Sequence, residues 1–235
     1  MSIKSIFWYR RDLRLHDNHA LFKALQDGGE VMPIFIYDSN IINNLDPGDH
    51  RLKFINDQIQ IINNKLSEIG KKIYTFFGDP LSVVKSLKSE YDFDSLYFNK
   101  DYEPYALERD NKISDYLLER GCSSHSFKDH VIFEENNIVK DDGKPYVVYT
   151  PFSRKWLMNF DPSMTKSFDS ISLLNNLVDS NSLNISSEDS KIVDNAITPI
   201  KYNLEKRIID NYDEDRNYPW IKGTSKIGVH LRFGT

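Results

Sequence analysis

The stretch FWYRRDLRLHDNHALFKAL, residues 7–25, carries a short apolar run directly into a group of arginines. The run Ile6–Tyr9 is β-branched and aromatic, which is typical of a buried strand. A helix is predicted to follow, because Asp17 or Asn18 can cap it and apolar residues continue to Leu25. Strand, charged turn and helix in so short a stretch indicate the first unit of an α/β fold.

The same alternation continues to about residue 128. Short apolar runs recur at Val31–Tyr37, Ile73–Phe77, Leu96–Phe98 and, more weakly, Cys122–Phe127. The segments between these runs carry helix signals. Residues 52–66 have helical spacing, Pro80 and Pro104 can open helices, and Gly28-Gly29, Gly70 and Gly121 can end them. The pattern predicts a Rossmann-like, doubly wound, five-stranded parallel sheet with helices on both faces.

The alternation stops after residue 130. DDGKPYVVY (141–149) reads as a turn and an extended segment, and residues 162–200, rich in Ser, Asn and Asp, as a long surface connection. Helical spacing resumes over Leu204–Tyr212. We therefore expect an α/β domain (1–130), a connection (131–200) and the beginning of an all-α domain (201–235), inside which the chain is expected to stop.

Composition excludes several classes of protein. The 235 residues carry a net charge of -5, which argues against a polyanion binder over the whole chain. Cys122 is the only cysteine, so a disulfide framework and a Cys-rich zinc site are ruled out. Among the six histidines only His16 and His19 have metal-binding spacing, and they have no third ligand nearby. No apolar run approaches the length of a membrane span. We expect a cytoplasmic protein without a metal.

Standard catalytic motifs are missing from the sequence. It contains no G-x-G-x-x-G after the first strand, no P-loop and no nucleophile elbow. Arg10, Arg11 and Arg14 follow the first strand, where ligands bind in open α/β sheets. They could pair with Asp12, with Asp17 or with a partner domain, or they could form an anion site. Spacing alone favours ion pairs.

Two further motifs each allow a structural and a functional interpretation. NKDYEPYALERD (99–110) is either the start of a helix or one wall of a ligand crevice shared with Tyr37, Asp38 and Arg51. GTSKIG (223–228) is either a helix N-cap or a phosphate cradle made of backbone N–H groups and two hydroxyls. The residues of each motif leave both interpretations open.

Taken together, four motifs resemble the DNA photolyase/cryptochrome family. They are WYRRDLRLHDNHAL, NKDYEPYALERD, YTPFSRKW (149–156) and YDEDRNYPWIKGTSKIGVHLRFGT, and they occur in the family's order over nearly the whole chain. The resemblance implies an N-terminal α/β antenna domain, a long connection, and a helical domain that holds FAD. It also implies a DNA photolyase, a carbon–carbon lyase in which reduced FAD, fed by an antenna pigment, donates an electron to a pyrimidine dimer in DNA.

Three alternatives follow from this resemblance. The chain could be the N-terminal part of a photolyase, a fragment of a cryptochrome-type blue-light receptor, or a stand-alone nucleotide- or pigment-binding module. We favour the photolyase. The family's dimer pocket and photoreducing tryptophans lie beyond residue 235, so we expect no catalytic residue here. We also expect weak or no FAD binding, and no repair by these residues alone.

The resemblance assigns two sets of cofactor-binding residues. Those matching the FAD phosphate site are Tyr212, Thr224, Ser225, Lys226, Ile227 and Gly228. Those matching an antenna-pigment crevice are Ile36, Tyr37, Asp38, Arg51, Asp101, Glu103 and Arg109. The pigment is expected to be of the deazaflavin, flavin or folate type, although Tyr105 and Ala106 replace the Asn-Glu pair of one folate-binding group. Arg10, Arg11 and Arg14 are expected to act as structural ties facing the interdomain region.

Overall fold

Five parallel strands form the centre of the structure, a computed structural model that describes residues 3–27, 29–46, 48–183 and 202–235. The strands are β1 (Ser5–Tyr9), β2 (Val31–Asp38), β3 (Tyr74–Gly78), β4 (Ser95–Asn99) and β5 (Ser123–Phe127). Their order is β3-β2-β1-β4-β5. The predicted five-stranded parallel sheet is confirmed, and each strand lies on one of the apolar runs.

Helices cover both faces of this sheet, as the alternation predicts. They are α1 (His19–Gln26), α2 (Ser39–Ile42), α3 (His50–Ser67), α4 (Pro80–Tyr91) and α5 (Pro104–Leu118). Asn18 caps α1 by accepting a hydrogen bond from the Leu21 N–H, and Asp79 caps α4 in the same way. Gly28, one of the predicted helix-ending glycines, lies outside the described residues.

Alternation along β1 divides the core into two layers. Phe7 and Tyr9 face the side covered by α1 and α3, whereas Ile6 and Trp8 face the side covered by α4 and α5. Both layers are apolar, because a parallel strand in the middle of such a sheet is buried on its two faces. The alternation brings Arg10 and Arg11 to the carboxyl end of the central strand.

The connection departs from the sequence prediction in two places. Residues 141–143 form the predicted turn, but the chain then enters a helix, α6 (Tyr149–Asn159), that the sequence analysis did not predict. Further along, Leu174, Leu177 and Val178 are buried, and Leu177 forms a bridge to Val31 at the start of β2. This part of the connection therefore belongs to the core. Residues 184–200 of the predicted connection lie outside the described residues.

Three short helices follow: α7 (Lys206–Asp210), α8 (Tyr212–Asp215) and α9 (Gly228–Phe233). α9 returns to the sheet, where the Leu13 N–H donates to the Phe233 carbonyl at 2.9 Å and the Phe233 ring packs on Phe54. Gly234 follows with φ +63°, so close to the loop after β1 that a Cβ would lie 2.5 Å from an Arg14 nitrogen. No helix of the described residues is long and apolar enough to cross a membrane.

Candidate functional site

A cleft of about 530 Å³ opens at the carboxyl edge of the sheet. The chain moves outward on one side of β1 through β2 and β3, and on the other side through β4 and β5. The connections that follow β1 and β4 therefore lead to opposite faces of the sheet. Such a switch point is where open α/β sheets bind ligands. We call this cavity the edge cleft. Its walls come from the ends of β1 and β2, from α2, α3 and α5, and from α9.

All seven residues that the resemblance assigned to the pigment crevice line the edge cleft. They reach it from three parts of the chain: Ile36, Tyr37 and Asp38 from β2, Arg51 from α3, and Asp101, Glu103 and Arg109 from the region after β4. The fold therefore brings residues that are far apart in the sequence to one cavity.

Buried arginines form the floor of the edge cleft. One Arg10 nitrogen lies 2.7 Å from both oxygens of Asp110, and Arg109 reaches the same carboxylate at 2.9 Å. The two guanidinium groups lie 5.1 and 4.8 Å from the centre of the Trp8 ring. Burial lowers the pKa of Arg10, while Asp110 acts in the opposite direction. Arg10 is thus part of the internal framework of the cleft.

The ion-pair interpretation of the three arginines agrees with this geometry, but with different carboxylates. Arg10 pairs with Asp110, and Arg14 pairs with Asp129 at 2.8 Å. Arg11 lies 2.8 Å from Glu103. These partners are distant in sequence, so local spacing pointed instead to Asp12 and Asp17. Asp12 accepts the backbone N–H of Arg10, and Asp17 offers its carbonyl to Arg14.

A hydrogen-bonded pair lies on the wall between α2 and α5. The Tyr105 hydroxyl donates to Asp38 at 2.7 Å, and Arg109 lies 3.6 Å from the same carboxylate. Burial, and then the hydrogen bond to Asp38, raise the pKa of Tyr105 to about 12.

At the mouth of the edge cleft, Arg51 is held by Asp49 at 2.6 Å, but the Arg51 side chain remains 62% exposed. Arg51 can therefore meet an anionic group arriving from solvent.

Three buried polar atoms of residues that line the edge cleft have no hydrogen-bond partner in the described part of the chain. They are the hydroxyl of Tyr9 and the Nε atoms of Arg10 and Arg11. Burial and the nearby Asp12 raise the pKa of Tyr9, so the hydroxyl is neutral. Unsatisfied buried groups are costly and rare in native proteins. A polar ligand in the cleft could satisfy the Tyr9 hydroxyl and the Arg11 Nε atom.

Sequence reasoning missed part of the lining. From β1 it missed Trp8 and Tyr9, which read as core residues, and from α2 the apolar Ile41. From α9 it missed Val229, Arg232 and Phe233. The position of Trp8 and Tyr9 at the end of the first strand was a usable signal. Nothing local marks α9, because its place depends on contacts with residues more than a hundred positions earlier.

The residues assigned to FAD phosphates lie outside the edge cleft. Tyr212 is in α8 and is 46% exposed, and segment 224–228 leads into α9. Gly223 packs so closely on α8 that a Cβ there would lie 2.3 Å from that of Asp215. Thr224 and Lys226 are exposed, and Lys226 has φ +57°. The chain thus turns back on α8 here and presents hydroxyls and one cation to solvent.

No His, Cys, Asp or Glu group suited to a metal occurs among the described residues.

The fold and the cleft define an α/β protein with a cavity at the switch point of a doubly wound sheet. The sequence model of the DNA photolyase family matches residues 5–169, which is more than half of the chain. The chain therefore belongs to the photolyase/cryptochrome family.

Individual relatives agree with this assignment. The chain is 26% identical to the deoxyribodipyrimidine photo-lyase of Synechococcus sp. (strain PCC 6301), over 100% of this chain and 52% of that protein. It spans about half the length of the photolyases that it matches from end to end. Other relatives are named cryptochromes, such as Cryptochrome-1 of Aedes aegypti, 30% identical over 65% of this chain and 29% of that protein.

Solved structures share the fold. A class III photolyase from Agrobacterium tumefaciens superposes with a TM-score of 0.77 at 24% identity, over 100% of this chain and 51% of that one. An archaeal photolyase from Sulfolobus tokodaii gives a TM-score of 0.64 at 23% identity, over 99% and 52%. The latter was solved with two FAD molecules and is described as implying a novel light-harvesting cofactor.

Proposed function

We propose that the edge cleft binds an antenna pigment and that the chain is the light-collecting part of a DNA photolyase. The observation that carries this proposal is the convergence of Ile36, Tyr37, Asp38, Arg51, Asp101, Glu103 and Arg109 on one cleft. The family resemblance of the sequence assigns the same seven residues to a pigment crevice. The division into an antenna domain (1–130), a connection (131–200) and the start of a helical domain (201–235) is part of the same proposal.

The cleft has the properties that a conjugated, partly polar pigment requires. Its volume of about 530 Å³ falls in the usual range for small-molecule sites. Apolar side chains such as Ile36, Ile41 and Leu52 can cover the faces of a flat ring, and the unpartnered Tyr9 hydroxyl and Arg11 Nε can bond to its polar edge. The pigment, when bound, supplies absorption of blue or near-ultraviolet light. The protein holds it rigidly and excludes water.

Within the pigment classes, we propose a flavin or deazaflavin. Tyr105 and Ala106 stand where one group of folate-binding relatives has Asn and Glu. The Tyr105 hydroxyl is already engaged by Asp38, and Ala106 is buried. The exposed guanidinium of Arg51 at the mouth suits the phosphate of a flavin nucleotide. The archaeal relative with a second FAD molecule supports the same choice.

Pigment binding is tested by equilibrating the purified chain with FMN, 5-deazariboflavin or 5,10-methenyltetrahydrofolate and measuring the bound fraction by absorbance. Ile41→Glu places a negative charge on an exposed wall of the cleft, where it repels the flavin phosphate, and we expect it to lower FMN affinity at least about tenfold. Ile61→Glu is the matched control, because Ile61 is 47% exposed and Ile41 46%, and Ile61 lies outside the cleft. Failure of all three pigments to bind the folded chain, or equal effects of the two substitutions, would contradict the proposal.

Light-driven repair of pyrimidine dimers in DNA is proposed as the activity that this light collection serves. FAD would supply the electron, with Tyr212 and segment 224–228 at its phosphates. The exposed hydroxyl of Thr224 and the cation of Lys226 suit a diphosphate. Many relatives have arginine and serine at positions 226 and 228. Lys226 keeps the positive charge but cannot form the two parallel hydrogen bonds that arginine makes to a phosphate, and Gly228 has no hydroxyl.

The second candidate is a cryptochrome-type light receptor, which the matches to cryptochromes favour. Because these residues alone are expected not to repair DNA, the complete gene is expressed in a repair-deficient host. Ultraviolet irradiation followed by blue light then separates the two. Light-dependent survival supports the photolyase. Pigment binding without any rescue supports the receptor.

A further inference from the structure

A second groove, distinct from the edge cleft, lies between the segment after β5 and helix α6. We call it the aromatic groove. Its volume is about 270 Å³. Four aromatic rings line it, together with two aliphatic and two acidic side chains: Tyr102, Phe133, Phe152, Trp156, Val131, Ile138, Glu134 and Glu135. Part of it is the YTPFSRKW motif, to which the proposed function gives no role.

Two of the rings are in edge-to-face contact. The Phe133 and Trp156 rings are 5.3 Å apart at 88°, and Phe160 stacks behind Trp156 at 5.2 Å and 13°. Trp156 is therefore fixed from one side, while its ring still lines the groove. All four lining rings are only partly buried. A ring face that is open to the groove carries negative electrostatic potential and attracts a cation.

One of the two acidic residues of the groove has no cationic partner among the described residues. Glu134 is paired with Lys100 at 2.8 Å, and the Lys100 ammonium also lies 5.9 Å from the Tyr102 ring. Glu135 is exposed and forms no ion pair with any described residue. Burial, and then the charges of Glu134 and Glu135, raise the pKa of Tyr102. One carboxylate is thus left to meet a cation that enters from solvent.

We propose that the aromatic groove binds the trimethylammonium group of an organic cation such as choline. A primary ammonium carries three N–H donors that all need acceptors once water is removed. The groove offers mainly ring faces and aliphatic carbon, so it would leave some of these donors unpaired. A quaternary ammonium has no N–H, and ring faces together with the Glu135 carboxylate satisfy its charge.

The test uses the purified chain and proton NMR. Choline is titrated against the protein, and its N-methyl signal is followed, because ring currents in the groove shift it upfield. The neutral isostere 3,3-dimethylbutan-1-ol is the matched control for shape. We expect saturable binding of choline, at least about tenfold stronger than that of the alcohol, as cation–π attraction requires. A trimethyllysine peptide is titrated separately, to distinguish a free cation from a modified protein side chain as the source; saturable binding of either supports the site.

Two variants assign the effect to the groove. Trp156→Leu should abolish the shift, whereas Trp220→Leu, at a tryptophan that is 78% exposed and outside the groove, should leave it unchanged. If Trp156→Leu does not fold, Glu135→Gln replaces it, with a binding loss of about threefold expected. Glu119→Gln, at the far end of α5, is its control. No saturable shift, an equal response to the neutral alcohol, or loss of binding only in the control variants would overturn the proposal.

Discussion

The guanidinium of Arg232 lies 2.8 Å from the carboxylate of Glu103, although 129 positions separate the two residues in the chain. Arg11 reaches the same oxygen, also at 2.8 Å. Glu103 therefore joins three segments: the loop after β1, the start of α5, and α9. All three residues line the edge cleft. The wall that α9 contributes is thus held by charge as well as by the packing of Phe233.

Glu103→Gln should loosen α9 while keeping the side chain's size. We expect backbone amides of α9 to exchange with solvent up to about fivefold faster at pH 7, the range of exposed ion pairs. Hydrogen bonds from Arg232 and Arg11 lower the pKa of Glu103, so this stabilisation is present above the unfolded value of about 4.3 and is lost as pH falls through the folded pKa. The difference from wild type should therefore vanish in acid.

The control for that substitution is Glu108→Gln, because the one described partner of Glu108 is Lys112 in the same helix, at 2.6 Å. Hydrogen exchange with mass spectrometry reports both variants on the same peptides. Equal exchange of α9 in wild type and Glu103→Gln at pH 7 would show that Glu103 does not hold the helix.

Asp110→Ala should destabilise the whole α/β unit, because it leaves the Arg10 charge buried without its carboxylate. The pair is 7% and 11% exposed, and breaking such a pair costs about 3–5 kcal/mol. Urea denaturation measures the free energy of unfolding. Asp57→Ala, which removes a more exposed partner of Lys53, should cost less than about 1 kcal/mol. Similar losses in the two variants would refute a structural role for the Arg10–Asp110 pair.

Phe233→Ala should weaken the docking of α9 much more than Leu231→Ala does. Phe233 is 7% exposed and packs on Phe54, whereas Leu231 is 72% exposed in the same short helix. We expect a loss of up to about 3–5 kcal/mol for the first and within about 0.5 kcal/mol for the second. Hydrogen exchange of the Leu13 amide, which donates to Phe233, measures the docking directly. Comparable exchange in both variants would contradict the packing.

Tyr105 should titrate with a pKa of about 12, against about 10 for an ordinary tyrosine. Burial and the hydrogen bond to Asp38 favour the neutral phenol, so its contribution to stability is present below about pH 10 and is lost as pH rises through about 12. Carbon-13 NMR of the tyrosine Cζ signals measures this pKa. Asp38→Asn should lower the pKa of Tyr105. Asp79→Asn changes a carboxylate that accepts a hydrogen bond from the neighbouring Asn40, and it should leave this pKa unchanged. An unchanged pKa in Asp38→Asn would contradict the assignment.

Helix α6 shows where local sequence rules failed. Its preceding residue, Val148, makes no capping hydrogen bond, and none of its residues is buried. The segment therefore lacks both the N-cap signal and the apolar face by which helices are predicted.

Some residues of the edge cleft, in contrast, could be predicted from the sequence because they lie at the ends of strands or directly after them. Parallel strands end at one edge, so Asp38 and Asp101 could be expected to lie near each other once the alternation was read.

The sequence alone determined the five strands, their parallel arrangement and the helices between them. Buried strands are indicated by short apolar runs, and helices by the residues that begin and end them. It also determined, through its motifs, which family the chain belongs to. The tertiary structure alone decided the partners of Arg10 and Arg14, the burial of residues 174–178, and α9 as a wall of the edge cleft. Each depends on contacts between residues far apart in the chain, and no local pattern encodes which distant carboxylate or apolar surface a side chain will meet.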